Sequence, residues 1–176
     1  KKILNPTDKS TRPLKDMVRE SIFNIIEHSK NEYVDLNNAK ILDLFSGTGS
    51  FGIECLSRGS KIVYFFENYF EAIKILEKNL SLLKNEKNFQ IFKSDCFEFF
   101  NSYQKINKKF DFIFLDPPFK EKKINELIEK IIENKILNAG GIIIIHRHKK
   151  DKMEITDKIK IFDVRNYGLS RVYFAN

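Results

Sequence analysis

The chain has 176 residues, of which 42% are hydrophobic and 31% charged; this is typical of one globular domain, and no apolar stretch approaches the ~20 residues that a membrane-spanning helix requires. Its two cysteines form no CxxC pair, which argues against a disulfide framework or a zinc site and fits a reducing cytoplasm. The net charge of +7 favours a polyanionic partner, although the codon bias of an AT-rich genome would also enrich lysine.

The first predicted element is a helix. Its start signal is Ser10-Thr11-Arg12-Pro13, where the hydroxyls suit an N-cap and the proline suits a first turn. An apolar stripe follows, and the helix is expected to end near His28. The apolar part of the first residues is too short for a signal peptide. We expect residues 1–35 to form an N-terminal segment and helix ahead of a core at 36–176, all within a single domain.

From residue 41 onward the apolar pattern alternates between strand and helix. Strands are predicted at 41–45, 61–67, 89–93, 110–116 and 142–145, the last one preceded by a Gly140-Gly141 turn. Helices are predicted at 50–58, 70–83, 96–103 and 124–132, and two closing strands at 158–165 and 170–174. This order predicts an α/β, Rossmann-like fold with a mostly parallel seven-stranded sheet, an antiparallel C-terminal strand and helices on both faces. Such a sheet binds ligands beyond the carboxyl ends of its strands.

The first strand of the core passes into the glycine-rich segment SGTGSFG, residues 46–52. The GxGxxG spacing is also the dinucleotide fingerprint, so an NAD-dependent oxidoreductase is one interpretation. By themselves Gly47 and Gly49 indicate only that a ligand approaches the backbone closely. Asp43 distinguishes the ligands, because its carboxylate lies within the strand. There it can meet the amino group of S-adenosylmethionine, whereas a pyrophosphate would gain nothing from it.

Acidic residues also end the next two predicted strands. Glu67 is suitably placed for ribose hydroxyls, a position common to NAD and S-adenosylmethionine folds. Asp95 is placed where an acceptor could meet the adenine amino group. We assign the neighbouring Phe45, Asn68 and Cys96 to the same cofactor site.

The fourth strand of the core, which is apolar throughout, ends in Asp116-Pro117-Pro118-Phe119. A short run this apolar is typical of a strand buried on both faces. The prolines fix φ and remove two amide donors, so they hold the local carbonyls in a stiff arrangement. A stiff group of acceptors beside an aromatic ring suits the gripping of a planar amino group on a base and the stacking of that base on Phe119.

With the segment LDLFSGTG and the later DPPF in one chain, the sequence resembles class I methyltransferases that act on amino groups. It is most similar to the RsmD family, guanine-N2 methyltransferases of bacterial small-subunit ribosomal RNA. The resemblance covers nearly the whole chain, and its more specific part is the set Arg12-Pro13, Arg19-Glu20 and Phe23-Asn24. The chain departs from the family at Leu14, Lys15 and Met17, where two threonines and an arginine are usual. The family also usually carries a short basic segment before the point where this chain begins.

The resemblance implies S-adenosylmethionine as the methyl donor and the exocyclic N2 amine of a guanine in ribosomal RNA as the acceptor. It implies that the Asp116 carboxylate and the Pro117 carbonyl accept the two N–H bonds of that amine, with Pro118 and Phe119 completing the catalytic turn. The partner would be ribosomal RNA within a small subunit or an assembly intermediate. We expect a cytoplasmic monomer that needs no metal and has no membrane partner.

Basic residues follow the fourth and fifth strands of the core, and the resulting loops leave the same edge of the sheet as the site. They are Lys120, Lys122 and Lys123 after the fourth strand, and Arg147, His148, Lys149 and Lys150 after the fifth. We predict that these loops contact phosphates, together with Arg12 and Arg19 of the family set. Lys105, Lys108 and Lys109 precede the fourth strand and are expected at the opposite edge, as solvated surface.

Four further interpretations share part of this pattern. A DNA adenine-N6 methyltransferase also uses DPP followed by an aromatic residue, but it needs additional sequence to recognise its target. A protein glutamine methyltransferase typically has Asn before the prolines, and cytosine-C5 chemistry requires a nucleophilic cysteine. The remaining rival is a non-catalytic RNA-binding module with a residual cofactor fold, against which the intact Asp43, Gly47, Gly49 and Asp116 argue.

Overall fold

The computed structural model describes residues 4, 14–28, 35–83, 88–102, 108–151 and 154–176. The helix start signal and Arg12 lie outside these residues. The helices are α1 (Asp16–His28), α2 (Ser50–Ser57), α3 (Phe70–Ser81), α4 (Cys96–Ser102) and α5 (Ile124–Glu133). The strands are β1 (Lys40–Asp43), β2 (Ile62–Phe66), β3 (Phe89–Phe92), β4 (Phe110–Leu115), β5 (Leu137–His148), β6 (Ile161–Tyr167) and β7 (Ser170–Ala175).

The described strands form one seven-stranded sheet in the order β3-β2-β1-β4-β5-β7-β6. The pairs among β1 to β5 are parallel. β7 is antiparallel to both of its neighbours, so it is the one strand in this sheet that runs against the others. The predicted α/β fold is therefore confirmed. The chain order reverses between β1 and β4, which is where open α/β sheets place their ligands.

The core has two layers, one on each face of the sheet. Ile41 and Phe112 pack with α1, α2 and α3 on one face, while Leu42 and Ile113 pack with α4 and α5 on the other. Side chains that alternate along a central strand are thus buried on both sides, as the apolar runs predicted. Among the described residues no helix is both long and apolar enough to cross a membrane.

The prediction of a turn at Gly140-Gly141 is wrong. β5 begins at Leu137 and continues through both glycines. Its register against β4 shifts between Phe110 and Phe112, and Gly140 has a φ of 77°. The additional residues of β5 are accommodated as an irregularity within the pair, which a glycine permits without the steric cost of a side chain. At its other end β5 extends to His148, three residues beyond the predicted end.

Candidate functional site

A cavity of about 390 Å³ opens at the carboxyl edge of the sheet. Four neighbouring strands supply charged or polar side chains to its wall, namely Asp43 at the end of β1, Glu67 after β2, Asp116 after β4 and His146 in β5. The carboxyl ends of parallel strands meet at one edge, so residues that are far apart in sequence line one space. The cavity lies where an open α/β sheet binds ligands.

Asp43 is the most unusual residue of this wall. Only 1% of its surface is exposed, and neither carboxylate oxygen has a hydrogen-bond partner among the described residues. Burial raises the pKa of Asp43 well above its ordinary value, and the nearby charges of Asp116 and Glu67 raise it further. The Gly52 amide and the Ser46 hydroxyl, which lie near the carboxylate without hydrogen-bonding to it, offset only part of this rise. A buried carboxylate without a partner is costly. A ligand that presents cationic N–H donors would remove this cost, so the site is suited to an ammonium group.

The turn after β1 is held by its own backbone. The Ser46 hydroxyl donates to the Asp43 carbonyl at 2.9 Å, and the Gly49 amide donates to the Ser46 carbonyl at 2.7 Å. Gly47 has a φ of +53° and lines the cavity. Gly49 has a φ of +83°, and a Cβ built on it would lie 2.4 Å from the Leu76 Cδ1 atom. Gly49 does not line the cavity, and its lack of a side chain serves the packing of α2 on α3.

Glu67 connects the ends of β1 and β2. One carboxylate oxygen accepts the Gly47 amide at 2.7 Å, and the other accepts the amides of Asn68 and Tyr69 at 3.0 and 2.8 Å. These bonds orient the carboxylate at the cavity wall. The glycine turn and the β2 end are thereby fixed relative to each other.

Asp95 and Cys96 do not line the cavity, although both were predicted to contact the cofactor. Asp95 accepts the Phe97 amide at 2.7 Å, which caps the start of α4, and its other oxygen accepts the Asn68 side-chain amide at 2.9 Å. Cys96 is buried, and burial raises the pKa of its thiol. The structure thus gives Asp95 an indirect place in the site, since Asn68 does line the cavity, as does Phe45.

Asp116 is hydrogen-bonded to a residue to which the sequence analysis gave no role. The Nδ1 atom of His146 lies 2.7 Å from Asp116 Oδ1. β4 and β5 are paired through Leu115 and Ile145, so Asp116 and His146 are the next residues along the two strands. A polar residue that ends an apolar strand was the signal used for Asp43, Glu67 and Asp95. The same signal applied to β5 would have identified His146.

Arg147 does not lie in the exposed basic loop in which the sequence analysis placed it as an RNA contact. Because β5 extends through His148, Arg147 lies within the strand and only 3% of its surface is exposed. Its guanidinium donates to the Glu121 carbonyl at 3.0 Å and to the Phe119 carbonyl at 3.4 Å, and it is paired with the Asp151 carboxylate. Arg147 therefore fastens the segment that follows the two prolines.

The residues after Asp116 form a tight turn that carries an exposed aromatic ring. The Pro118 carbonyl accepts the Glu121 amide at 2.8 Å, which closes a tight turn. Phe119 is 36% exposed at the wall of the cavity, and its ring centroid lies 5.0 Å from that of His148 in an edge arrangement. An exposed ring held in this way offers a surface on which a planar group can stack.

The basic loops lie at the predicted edges of the sheet. Lysines 120, 122 and 123 follow β4 and lysines 149 and 150 follow β5; all five are exposed at the carboxyl edge. Lys108 and Lys109 are exposed ahead of β4, at the opposite edge, whereas Lys105 lies outside the described residues. Arg19 is paired with Asp16 in α1 at 2.8 Å.

The chain is similar to known proteins over most of its length. Residues 1–176 match the family described as "Conserved hypothetical protein 95". The chain is 37% identical over 164 residues to "Putative rRNA methyltransferase YlbH" of Bacillus subtilis, which covers 93% of this chain and 86% of that one. It is 34% identical over 146 residues to "Ribosomal RNA small subunit methyltransferase D" of Haemophilus influenzae, covering 82% and 72%. The solved structure of the "putative methylase HI0767" from Haemophilus influenzae has a TM-score of 0.73 and 27% identity, covering 91% and 96% of the two chains.

Proposed function

Because the chain belongs to the RsmD-like family and has the fold of class I methyltransferases, we propose that it is an S-adenosylmethionine-dependent enzyme that methylates the N2 amine of a guanine in small-subunit ribosomal RNA. The names of its relatives support ribosomal RNA methylation. The observation that carries the proposal is the presence of two carboxyl groups in one cavity, the unpartnered Asp43 and the Asp116 of the DPPF turn.

The cavity wall fits the proposed cofactor. Asp43 would hold the ammonium group, because its buried oxygens have no partner among the described residues. Glu67 would hold the ribose hydroxyls, and Gly47 would allow close approach at the turn. When bound, S-adenosylmethionine supplies a methyl group already activated by its sulfonium. The main task of the protein is then the placement of the acceptor amine, a task that can contribute on the order of 7–11 kcal/mol to lowering the barrier.

The DPPF turn would hold the base. The lone pair of a guanine amine is delocalised into the ring, so the amine is a poor nucleophile. Acceptance of its N–H bonds by the Asp116 carboxylate and the Pro117 carbonyl would favour the pyramidal, positively charged nitrogen of the transition state. The base must leave its stack, which costs a few kcal/mol, and Phe119 would restore part of that stacking.

The acceptor RNA would lie across the carboxyl edge of the sheet. Lys120, Lys122, Lys123, Lys149 and Lys150 are exposed there, beside the mouth of the cavity, and lysines bind phosphates without regard to sequence. A small subunit or an assembly intermediate would then supply the structural context that selects the nucleotide. We further propose that the protein acts as a cytoplasmic monomer.

The decisive experiment is the transfer of labelled methyl from S-adenosylmethionine to small ribosomal subunits from a strain that lacks its own enzyme. Nucleoside mass spectrometry of the product should find N2-methylguanosine. The matched control is the Asp116→Asn variant, which keeps the shape of the turn. A parallel reaction with duplex DNA tests the rival: label in N6-methyladenine of that DNA, with none in the subunits, would replace this function with the rival one. Binding of cofactor and RNA without any transfer would indicate a non-catalytic RNA-binding module.

A further inference from the structure

We propose that His146 is a positioning residue for methyl transfer, which donates a hydrogen bond from Nδ1 to one oxygen of Asp116 and so keeps the second oxygen of that carboxylate turned to the acceptor amine. This inference rests on the proposed function. It assigns a role to a side chain outside the DPPF sequence and outside the glycine turn.

The geometry of the pair supports a fixed contact. Nδ1 and Oδ1 are 2.7 Å apart, and the two side chains are only 6% and 18% exposed. His146 belongs to the central strand β5, and the residue across from it on β7 is the apolar Val172. A buried ring on a strand that is paired on both sides has little freedom to turn. It can therefore orient the carboxylate as one unit with the sheet.

The proton of the imidazole is assigned by its surroundings. Nε2 is buried and has no hydrogen-bond partner among the described residues. A proton on Nε2 would be a buried donor without an acceptor, whereas a proton on Nδ1 meets a carboxylate oxygen. The neutral ring with its proton on Nδ1 is thus the arrangement that the site favours.

The charges around the pair explain why the orientation of Asp116 needs a fixed donor. Among the described residues, the other titratable groups that line the cavity are Asp43 from β1, Glu67 and Tyr69 after β2, and Lys15 ahead of α1. Asp43 is close enough that the charge of Asp116 contributes to its raised pKa. Neighbouring carboxyl groups repel each other when both are charged. A donor fixed on β5 holds the Asp116 carboxylate in one orientation beside these groups.

The chemistry balances with His146 unchanged. With S-adenosylmethionine and the base bound, the methyl carbon would form its bond to the amine nitrogen as its bond to sulfur breaks, and the positive charge would move to the amine. The amine would then give one N–H proton to the second oxygen of Asp116, from which it would pass to solvent. His146 keeps its own Nδ1 proton throughout. Its role is to hold the acceptor of the proton in place.

The pairing can be tested without cofactor or RNA. Nitrogen NMR of the imidazole in the free protein should show a neutral ring with a protonated Nδ1 and an unprotonated Nε2. Asp116→Ala should remove this preference. A proton on Nε2 in the wild-type protein would overturn the proposal. This measurement decides the pairing even if the wild-type enzyme methylates no RNA, an outcome that would contradict the proposed function alone.

Kinetics of three variants test the role in the reaction. His146→Asn keeps a donor near the position of Nδ1, His146→Gln moves the amide toward the position of Nε2, and His146→Leu has no donor. For Gln and Leu we expect turnover to fall about 10–100-fold, since a hydrogen bond to a charged group is lost. Asn should restore most of the lost turnover.

Two controls separate positioning from folding. All three variants should bind S-adenosylhomocysteine with nearly wild-type affinity, and His28→Leu, at the exposed end of α1, should leave activity unchanged. If Gln matched Asn in turnover, His146 would be a packing residue and the proposal would fail. The comparison of Asn with Gln remains decisive if Leu prevents folding.

Discussion

At the scale of single residues, Asp43 shows a conflict between stability and ligand binding. Its carboxylate is buried without a partner among the described residues, and its pKa is raised by burial first and then by the charges of Asp116 and Glu67. The folded protein therefore holds the proton of Asp43 more tightly than the unfolded chain does. The stability that this provides is present below the ordinary carboxyl pKa and is lost as the pH rises through the raised value.

Asp43→Asn should therefore stabilise the protein without ligand while removing its cofactor site. Each pKa unit by which the carboxyl is raised corresponds to about 1.4 kcal/mol, and 1 kcal/mol shifts the melting temperature of a protein of this size by about 2–4 °C. Thermal unfolding from about pH 5 to about pH 9 should show a stability loss in wild type that the variant lacks. Calorimetry should show cofactor affinity at least about 100-fold weaker. A variant that melts earlier at the alkaline end, or binds like wild type, would contradict this view of Asp43.

The two glycines of the turn after β1 have different reasons to be glycine. Gly49→Ala should lower the melting temperature by several degrees, because a Cβ would lie 2.4 Å from Leu76 Cδ1 at a positive φ. In Gly47→Ala the new Cβ would meet no atom within 4 Å. The free energy of unfolding should therefore fall only by the strain of a side chain at a positive φ, about 1–2 kcal/mol. The added methyl group should weaken binding of S-adenosylhomocysteine. Melting curves and titrations on both variants test this, and equal melting temperatures would show that Leu76 gives way easily.

Asp116→Asn should separate chemistry from cofactor binding. The substitution keeps the shape of the turn and one oxygen for His146, but it removes the charge that the reacting amine would meet. By analogy with the loss of one preorganised transition-state contact, turnover should fall about 10²–10³-fold. Affinity for S-adenosylmethionine should change little, because Asp43 and Glu67 are retained. Single-turnover transfer and cofactor titration on one preparation give both values, and wild-type turnover would leave DPPF a structural turn.

At the scale of the elements, the strand ends could be predicted where the apolar run was short and uninterrupted. β4 is an example, because Phe112 to Leu115 are buried from both faces and Asp116 follows directly. The ends of β5 could not be predicted in this way. Its glycines are typical of a turn in the sequence, and only pairing with β4 shows that they lie within a strand. The wrong placement of Arg147 follows from the same cause.

His146 illustrates what the sequence leaves open. Its neighbours predict a buried strand, so a histidine there has no evident partner until the register of β4 and β5 is known. The register comes from tertiary pairing, not from local propensity. Asp43 and Glu67 were easier to interpret, because the glycine turn between them marks the cavity wall.

The basic loops after β4 and β5 can be tested as elements. Replacement of Lys122, Lys123, Lys149 and Lys150 by Gln should weaken RNA binding and flatten its salt dependence, by nearly one log unit of slope for each lost phosphate contact. Lys108→Gln with Lys109→Gln at the opposite edge is the matched control and should have little effect. Titrations at several salt concentrations measure both. A stronger effect of the control pair would place the RNA at the opposite edge of the sheet and contradict the prediction.

At the scale of the whole molecule, the fold was predicted more completely than the site. The alternation of strands and helices can be recognised from the apolar pattern of the sequence. The order of strands in such folds is then limited by the rule of right-handed crossovers. The two layers of the core pack against opposite faces of the same strands, since Ile41 faces one layer and Leu42 the other. We therefore propose that the chain unfolds as one unit. The net charge of +7 acts at this scale too, because it would speed encounter with the proposed RNA substrate before any loop makes contact.

The strand order has a consequence for how the protein is made. β7 follows β6 in the chain but lies between β5 and β6 in the sheet. During synthesis on a ribosome, β6 emerges with no neighbour to pair with, and β5 keeps an open edge along the strand that carries His146. Both are completed in one step, when Ser170–Ala175 leaves the exit tunnel. The nascent chain therefore completes the wall of the cavity late, because Ser170 at the start of β7 also lines it.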